Sequence, residues 1–273
     1  MQDIFVYLCP FLENDEYHTP GDLKMPFFFN RRAYFMRKFS TLIYRNGLKA
    51  RQGEYEGVDW ANCSYGIFHA LEQVGLKFHL YGIRKIAALK GPVVFCGNHM
   101  SVLETVVLPM LIQPFRDVNF VIKKELLQYP YFKDIMVARN SIIVERGNPR
   151  KDLAVVLKEG RAHLKNGTSI ILFPQARREF IFDPANYNSL AVKLAKRSNV
   201  PLVPVALVTD AWQNGKLVKD FGPLKTDKAV NFAFGDPIDV FQHPDPMSVV
   251  TDFIQSHFRE WGREDLLVGN GHE

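Results

Sequence analysis

Two periods of apolar residues run along this chain, and the point where they change divides it. Residues 25–50 carry the helical period: Phe28, Phe35, Phe39 and Leu42 fall in one stripe, with Met36 and Ile43 on its flank. Arg37 lies opposite that stripe, with Lys38 and Arg45 to the side. Residues 52–59, where Gly53 and Gly57 sit among acids, look like a linker, and 60–73 again have helical spacing, ending near Gly75. Residues 76–83 alternate loosely, as an edge strand does.

From Pro92 onward short apolar runs alternate with longer helical patterns. Strands are expected at 92–96, 118–122, 141–144, 169–173, 202–208 and 230–234. Between them, a helix opens at 102–108 and must end or kink at Pro109. Residues 124–136 are helical in part, broken at Tyr129-Pro130-Tyr131. Asp152 reads as the cap of a helix whose face is Leu153, Val156, Leu157 and Leu164, stopped by Asn166-Gly167. A further helix is expected at 189–198 and an amphipathic one at 246–261, with a hairpin turn at Asn214-Gly215. Strands separated by helices of this length predict an α/β fold: a mostly parallel central sheet with helices on both faces, plus an N-terminal basic amphipathic helical segment. The expected division is 1–59, an N-terminal membrane-surface helical segment and linker, and 60–273, the main domain.

Composition sharpens the picture only in places. Hydrophobic content of 47% and charged content of 23% are those of a folded globular chain. The modest net charge of +5 is concentrated: eight basic residues and one acid lie between Gly21 and Arg51. With Phe28, Phe35 and Phe39 interleaved among Arg31, Arg32, Arg37 and Lys38, this helix suits an anionic bilayer surface. A helix docked on the protein's own core with a solvated basic face is the competing reading. Nucleic-acid binding is disfavoured, because the apolar stripe is too continuous for a stacking platform. No uncharged run reaches the ~20 residues of a spanning helix. Met1-Gln2-Asp3 lacks the basic start of a secretory signal, and three unpatterned cysteines fit a reducing compartment. The expectation is a peripheral protein on the cytoplasmic face of a membrane.

In parallel sheets, chemistry collects where strands end and helices begin. Asn98-His99 follows the first buried strand, and Ser101 with Glu104 then forms an S-x-x-E pattern. Ser101 and Glu104 alone would be a capping box. His99 is the residue type best matched to general-base work near neutral pH. A zinc site is disfavoured, since His99 and Glu104 are spaced H-x-x-x-x-E with no further ligand pair nearby. Arg146, just past the third strand, has the planar fork that suits a phosphate, although a salt bridge to Glu145 explains it equally well. Arg177 and Arg178 stand after the fourth, where ordinary surface charge is the alternative.

These residues fall in blocks that resemble the glycerophospholipid acyltransferases, typified by the 1-acyl-sn-glycerol-3-phosphate acyltransferases. Asn98-His99-x-Ser101-x-x-Glu104 is similar to the family's N-H-x-S-x-x-D/E, and Ile143-Val144-Glu145-Arg146 to its second block. Phe173-Pro174-Gln175-Ala176-Arg177-Arg178 resembles F-P-E-G-T-R, and Val200-Pro201-Leu202-Val203-Pro204-Val205 its fourth block. The resemblance covers about residues 76–240. It implies His99 as general base and Glu104 as the carboxylate that orients it, with no enzyme nucleophile. It further implies that Asn98, Ser101, Arg146, Gln175, Arg177 and Arg178 bind substrate, and that helix N–H groups beside His99 serve an oxyanion or phosphate. The substrates implied are an acyl thioester donor, acyl-CoA or an acyl-carrier protein, and a lysophospholipid acceptor; no further cofactor and no metal are expected. The third block departs from the pattern at Gln175, Ala176 and Arg177, which predicts a more cationic site. Asn140 stands where the family has glycine, and asparagine tolerates the left-handed conformation.

Overall fold

A computed structural model describes residues 15–21, 30–175, 177–215 and 220–269. Eight strands form one sheet: β1 (Glu16–His18), β2 (Lys77–Tyr81), β3 (Val94–Gly97), β4 (Val118–Lys123), β5 (Ile142–Val144), β6 (Ser169–Leu172), β7 (Leu202–Val208) and β8 (Ala229–Phe234). Their order is β1-β2-β8-β7-β3-β6-β4-β5. Pairing is parallel except for β1 with β2 and β7 with β8. The expected α/β class and mostly parallel sheet are what the structure has. Residues 77–81 are not the sheet edge, because β1 adds outside them and leaves β2 paired on both sides.

Eight α-helices cover the sheet among the described residues: α1 (Arg31–Arg51), α2 (Gly57–Gln73), α3 (Ile83–Ala88), α4 (Leu103–Ile112), α5 (Phe132–Ala138), α6 (Pro149–Lys165), α7 (Leu190–Ser198) and α8 (Pro246–Glu260). Successive strand residues point to opposite faces. Phe95 therefore joins one core with Phe68 and Leu71 of α2 and Leu111 of α4, while Val94 and Cys96 join the other with Leu157, Leu194 and Ile254 of α6, α7 and α8.

Several local expectations change, each for a tertiary reason. Pro109 does not end α4, which runs on to Ile112 with the proline inside it. The break in the backbone ladder is repaired from α2: Ser64 Oγ donates to the Val106 carbonyl at 2.6 Å and accepts the Met110 N–H at 3.0 Å. Asn148, not Asp152, caps α6, accepting the N–H groups of Arg150 and Lys151. Asp152 instead accepts the N–H groups of Glu145 and Arg146 and fixes the turn after β5. Asn214 and Gly215 carry no turn of their own, and 216–219 lie outside the described residues; Trp212 and Leu224 form an antiparallel bridge.

Helix α1 lies against α2 and α5. Phe35 and Phe39 are buried, edge-on to Trp212 at 5.1 and 6.0 Å, and belong to the same core as α2 and α4. These two residues therefore do not contact a membrane: the apolar stripe is spent on the protein's own core, because Trp212 offers it a dry partner. Phe28 lies outside the described residues. Arg31, Arg32, Arg37 and Lys38 are exposed, with Tyr44 and Arg45, and Arg32 donates to the Phe221 carbonyl at 3.0 Å. The boundary expected at residue 59 falls inside α2, which begins at Gly57. No helix among the described residues is long and apolar enough to cross a membrane.

Candidate active site

The site is built at the carboxyl edge of the sheet, where β3, β5, β6 and β7 end together. Gly97 closes β3 against β7; a Cβ there would lie 2.7 Å from the Val205 carbonyl oxygen, so only glycine fits. Asn98 follows and pairs with the backbone of Leu207: its Nδ2 donates to the carbonyl at 2.7 Å and its Oδ1 accepts the N–H at 2.9 Å. This side-chain rung extends the β3–β7 ladder by one step. Asn98 is 2% exposed and both its polar atoms are committed, so it positions the turn and does not touch substrate.

His99 emerges from that turn. Its backbone N–H donates to Gln175 Oε1, and its carbonyl accepts the Glu179 N–H at 2.9 Å. Its ring stacks on Phe173 at a centroid distance of 4.4 Å and 9°. Nδ1 is 2.8 Å from Glu104 Oε1, whereas Nε2 has no partner among the described residues. The side chain is 14% exposed, enough to present one ring nitrogen to a ligand.

Glu104, in the first turn of α4, is fully buried yet saturated with donors. Oε1 accepts from His99 Nδ1, from the Met100 N–H at 2.7 Å and from the Ser101 N–H at 2.8 Å. Oε2 accepts from Ser101 Oγ at 3.0 Å and Thr209 Oγ1 at 2.6 Å. Burial alone would drive this carboxyl upward, but the bonds from His99 and Thr209 outweigh it and hold the group below its ordinary range. An ionised Glu104 can only accept, so the imidazole proton sits on Nδ1 and Nε2 carries the lone pair. Burial, together with the Arg178 and Arg146 charges, pushes His99 below its ordinary value despite the opposing pull of Glu104. The resting pair is a carboxylate and a neutral imidazole: a base ready to take a proton at Nε2.

Ser101 is not a substrate contact either. Its Oγ accepts the Leu103 N–H at 3.1 Å and supports Glu104, a cap and a carboxylate rest in one hydroxyl. Four N–H groups beside the ring are already bonded: those of Met100 and Ser101 go to Glu104, that of Leu103 to Ser101 Oγ, and that of His99 to Gln175.

The cationic residues divide. Arg178 is mostly buried, paired with Asp220, which also accepts the Tyr129 hydroxyl at 3.3 Å. Arg146 is exposed, its charge acts on His99, and its backbone is left-handed (φ 58°), held by Asp152 through the Arg146 N–H. Asn140 takes the left-handed conformation expected of it (φ 52°). Arg177 points away: it is 74% exposed and pairs with Glu179 at 2.8 Å, so it adds no charge to the site. Gln175, 6% exposed, is a structural acceptor through Oε1 for His99 and for the Tyr187 hydroxyl at 3.2 Å. Thr209, Tyr187 and Asp220 belong to the site and are not among the residues singled out by sequence, and Phe173, quoted only as part of the third block, supplies the ring on which His99 stacks. Thr209 had a faint signal, as the first polar residue after the fourth block; Asp220 had none.

A neutral histidine backed by a buried, donor-saturated carboxylate, with arginines nearby, is suited to general acid–base work. Residues 77–208 match the family model described as Acyltransferase. Among curated relatives, it is 26% identical over 144 residues to a 1-acyl-sn-glycerol-3-phosphate acyltransferase of Pseudomonas aeruginosa, covering 53% of this chain and 54% of that one. It is 27% identical over 144 residues to the enzyme of the same name from Cocos nucifera, covering 49% of this chain and 46% of that one. The chain thus spans about half the length of these relatives. The crystal structure of the 1-acyl-sn-glycerophosphate acyltransferase PlsC from Thermotoga maritima superposes with a TM-score of 0.65 at 17% identity, over 85% of this chain and 95% of that one, a likeness of fold.

Proposed function

We propose that this protein transfers a fatty acyl group from a thioester, acyl-CoA or acyl-carrier protein, to the free hydroxyl of a lysophospholipid, with 1-acyl-sn-glycerol-3-phosphate as the first candidate acceptor. The observation that carries the reading is the His99–Glu104 pair, with a proton on Nδ1, a lone pair on Nε2 and a partly open face. In this mechanism the acceptor hydroxyl gives its proton to Nε2 as its oxygen attacks the thioester carbonyl. Glu104 stabilises the imidazolium, the carbon–sulfur bond breaks, and the proton passes to the departing thiolate. Arg178 and Arg146 neutralise the acceptor phosphate as bidentate partners. Asp220 must share Arg178 with that phosphate or release it.

The lipid acceptor calls for a membrane surface, and the exposed cations of α1 support one. Arg31, Arg32, Arg37 and Lys38 meet anionic headgroups, while Phe35 and Phe39 anchor the helix to the protein. The decisive experiment is an acceptor panel (lysophosphatidate, glycerol-3-phosphate, neutral lysophospholipids) against one labelled acyl-CoA and one acyl-carrier protein, read by product mass. Lysophosphatidate acylation that vanishes in His99→Ala is expected; full activity in that variant defeats the mechanism. No transfer from any donor by the wild type leaves a lipid-binding protein of this fold. Unchanged sedimentation with anionic liposomes after the four cations are neutralised removes α1 from the membrane.

A further inference from the structure

Thr209 closes the buried end of the His99–Glu104 pair. It lies one residue past β7 and is fully buried, so a valine would fill the same volume. The hydroxyl therefore needs its own account, since an unneeded buried hydroxyl is a cost. Glu104 Oε1 has three N–H donors, but Oε2 depends on two hydroxyls alone. Ser101 has one proton and two acceptors in reach, Glu104 Oε2 at 3.0 Å and Thr209 Oγ1 at 3.1 Å. The Thr209 proton has its nearest acceptor in Oε2 at 2.6 Å, closer than Ser101 Oγ at 3.1 Å. Thr209 is itself pinned by its neighbour. Asp210 is gripped by both terminal nitrogens of Arg263 at 3.0 and 2.9 Å, and by Lys228.

We propose that Thr209 is a positioning residue for the general base: its hydroxyl fixes the roll of the Glu104 carboxylate, and through it the direction in which His99 Nε2 faces the acceptor. β7 thereby ties the base to the frame of the sheet, and Arg263 ties that strand end to the segment after α8. The rate consequence rests on the acyltransferase reading; the geometric one does not.

The charged and titratable groups around the pair are few. His99 faces Glu104, Arg178 and Arg146; Glu104 faces His99, Ser101 and Thr209; behind Thr209 lie Asp210, Arg263 and Lys228. The Thr209 hydroxyl points its positive end at the carboxylate. Removing it leaves more negative charge facing the imidazole and raises the titration midpoint of His99.

The test compares Thr209→Val with Thr209→Ser in the full chain by steady-state acyl transfer and by NMR titration of the His99 ring, assigned through His99→Gln. In the valine variant kcat falls about tenfold, the scale of one hydrogen bond to a charged group. KM for both substrates holds, and the His99 midpoint rises by several tenths of a pH unit. The serine variant restores both. A valine variant within twofold of wild type in kcat, a loss that serine does not repair, or an unmoved midpoint each overturns the proposal. Thr209→Ala supplies the same readouts if the valine variant does not fold. If the wild type transfers from no thioester, the functional reading falls, and the titration alone still decides whether Thr209 sets the pair.

Discussion

Replacing Glu104 by glutamine removes one charge and almost no volume, and the surroundings of the carboxylate dictate how the amide must sit. Three N–H donors converge on Oε1, so the amide oxygen takes that position. The amide nitrogen then faces the hydroxyls of Ser101 and Thr209, which can rotate to accept. His99 keeps its proton on Nδ1, and the correct ring nitrogen stays free. The wrong-tautomer penalty that makes the same replacement cost about 10⁴ in a serine-protease triad therefore does not arise. What is lost is a charge-assisted bond to the imidazolium that forms during transfer, about 1.5–3 kcal/mol or roughly 10- to 150-fold in kcat/KM. The pH profile carries a second signature. Glu104 holds His99 up against burial and the two arginines, so without it His99 titrates lower and the acid limb of kcat/KM moves to lower pH while the plateau falls. Glu104 itself lies below its ordinary value of 4.5, so the stability it contributes is present above that pH and is lost as pH falls through the lowered value. The assay is release of free thiol from acyl-CoA across pH 5 to about 9, a range bracketing the unperturbed imidazole value. A plateau within threefold of wild type, with the acid limb unmoved, refutes the orienting role of Glu104.

Three further outcomes follow from the same geometry. Gln175→Leu strips the acceptor from the His99 N–H and the Tyr187 hydroxyl, costing about 1–3 kcal/mol and lowering Tm by roughly 3–10 °C in a thermal scan, whereas Gln175→Glu, which keeps the acceptor, costs less. Ser64→Ala leaves the Val106 carbonyl and Met110 N–H of the proline-interrupted helix unmet and destabilises by about 1–3 kcal/mol in urea, with active-site kinetics unchanged once folded. Arg178→Ala raises KM for a phosphate-bearing acceptor by about 10- to 100-fold, the cost of a charged hydrogen bond, and leaves KM for acyl-CoA alone; an equal effect on a phosphate-free acceptor would show that Arg178 does not bind the phosphate.

The amino-acid order by itself determined the alternation of strands and helices, because each element announces its period locally. Runs such as Leu202–Val208 are apolar throughout, as a strand covered on both faces must be. It also determined that His99 and Glu104 meet, since they are five residues apart on one strand–turn–helix unit. What lay beyond it were relations between segments far apart in the chain. Pro109 stays in its helix because Ser64 arrives from another one, and Phe35 and Phe39 turn inward because Trp212 lies against them. The bonds that Asn98, Ser101 and Gln175 make to Leu207, Glu104 and His99 follow from burial, which fixes what a polar atom can reach. The hydroxyl of Thr209, 105 positions from the carboxylate it holds, came to the site only through the parallel pairing of β7 with β3. Local periodicity encodes the elements; the pairing of strand ends decides which distant polar atoms share one buried carboxylate.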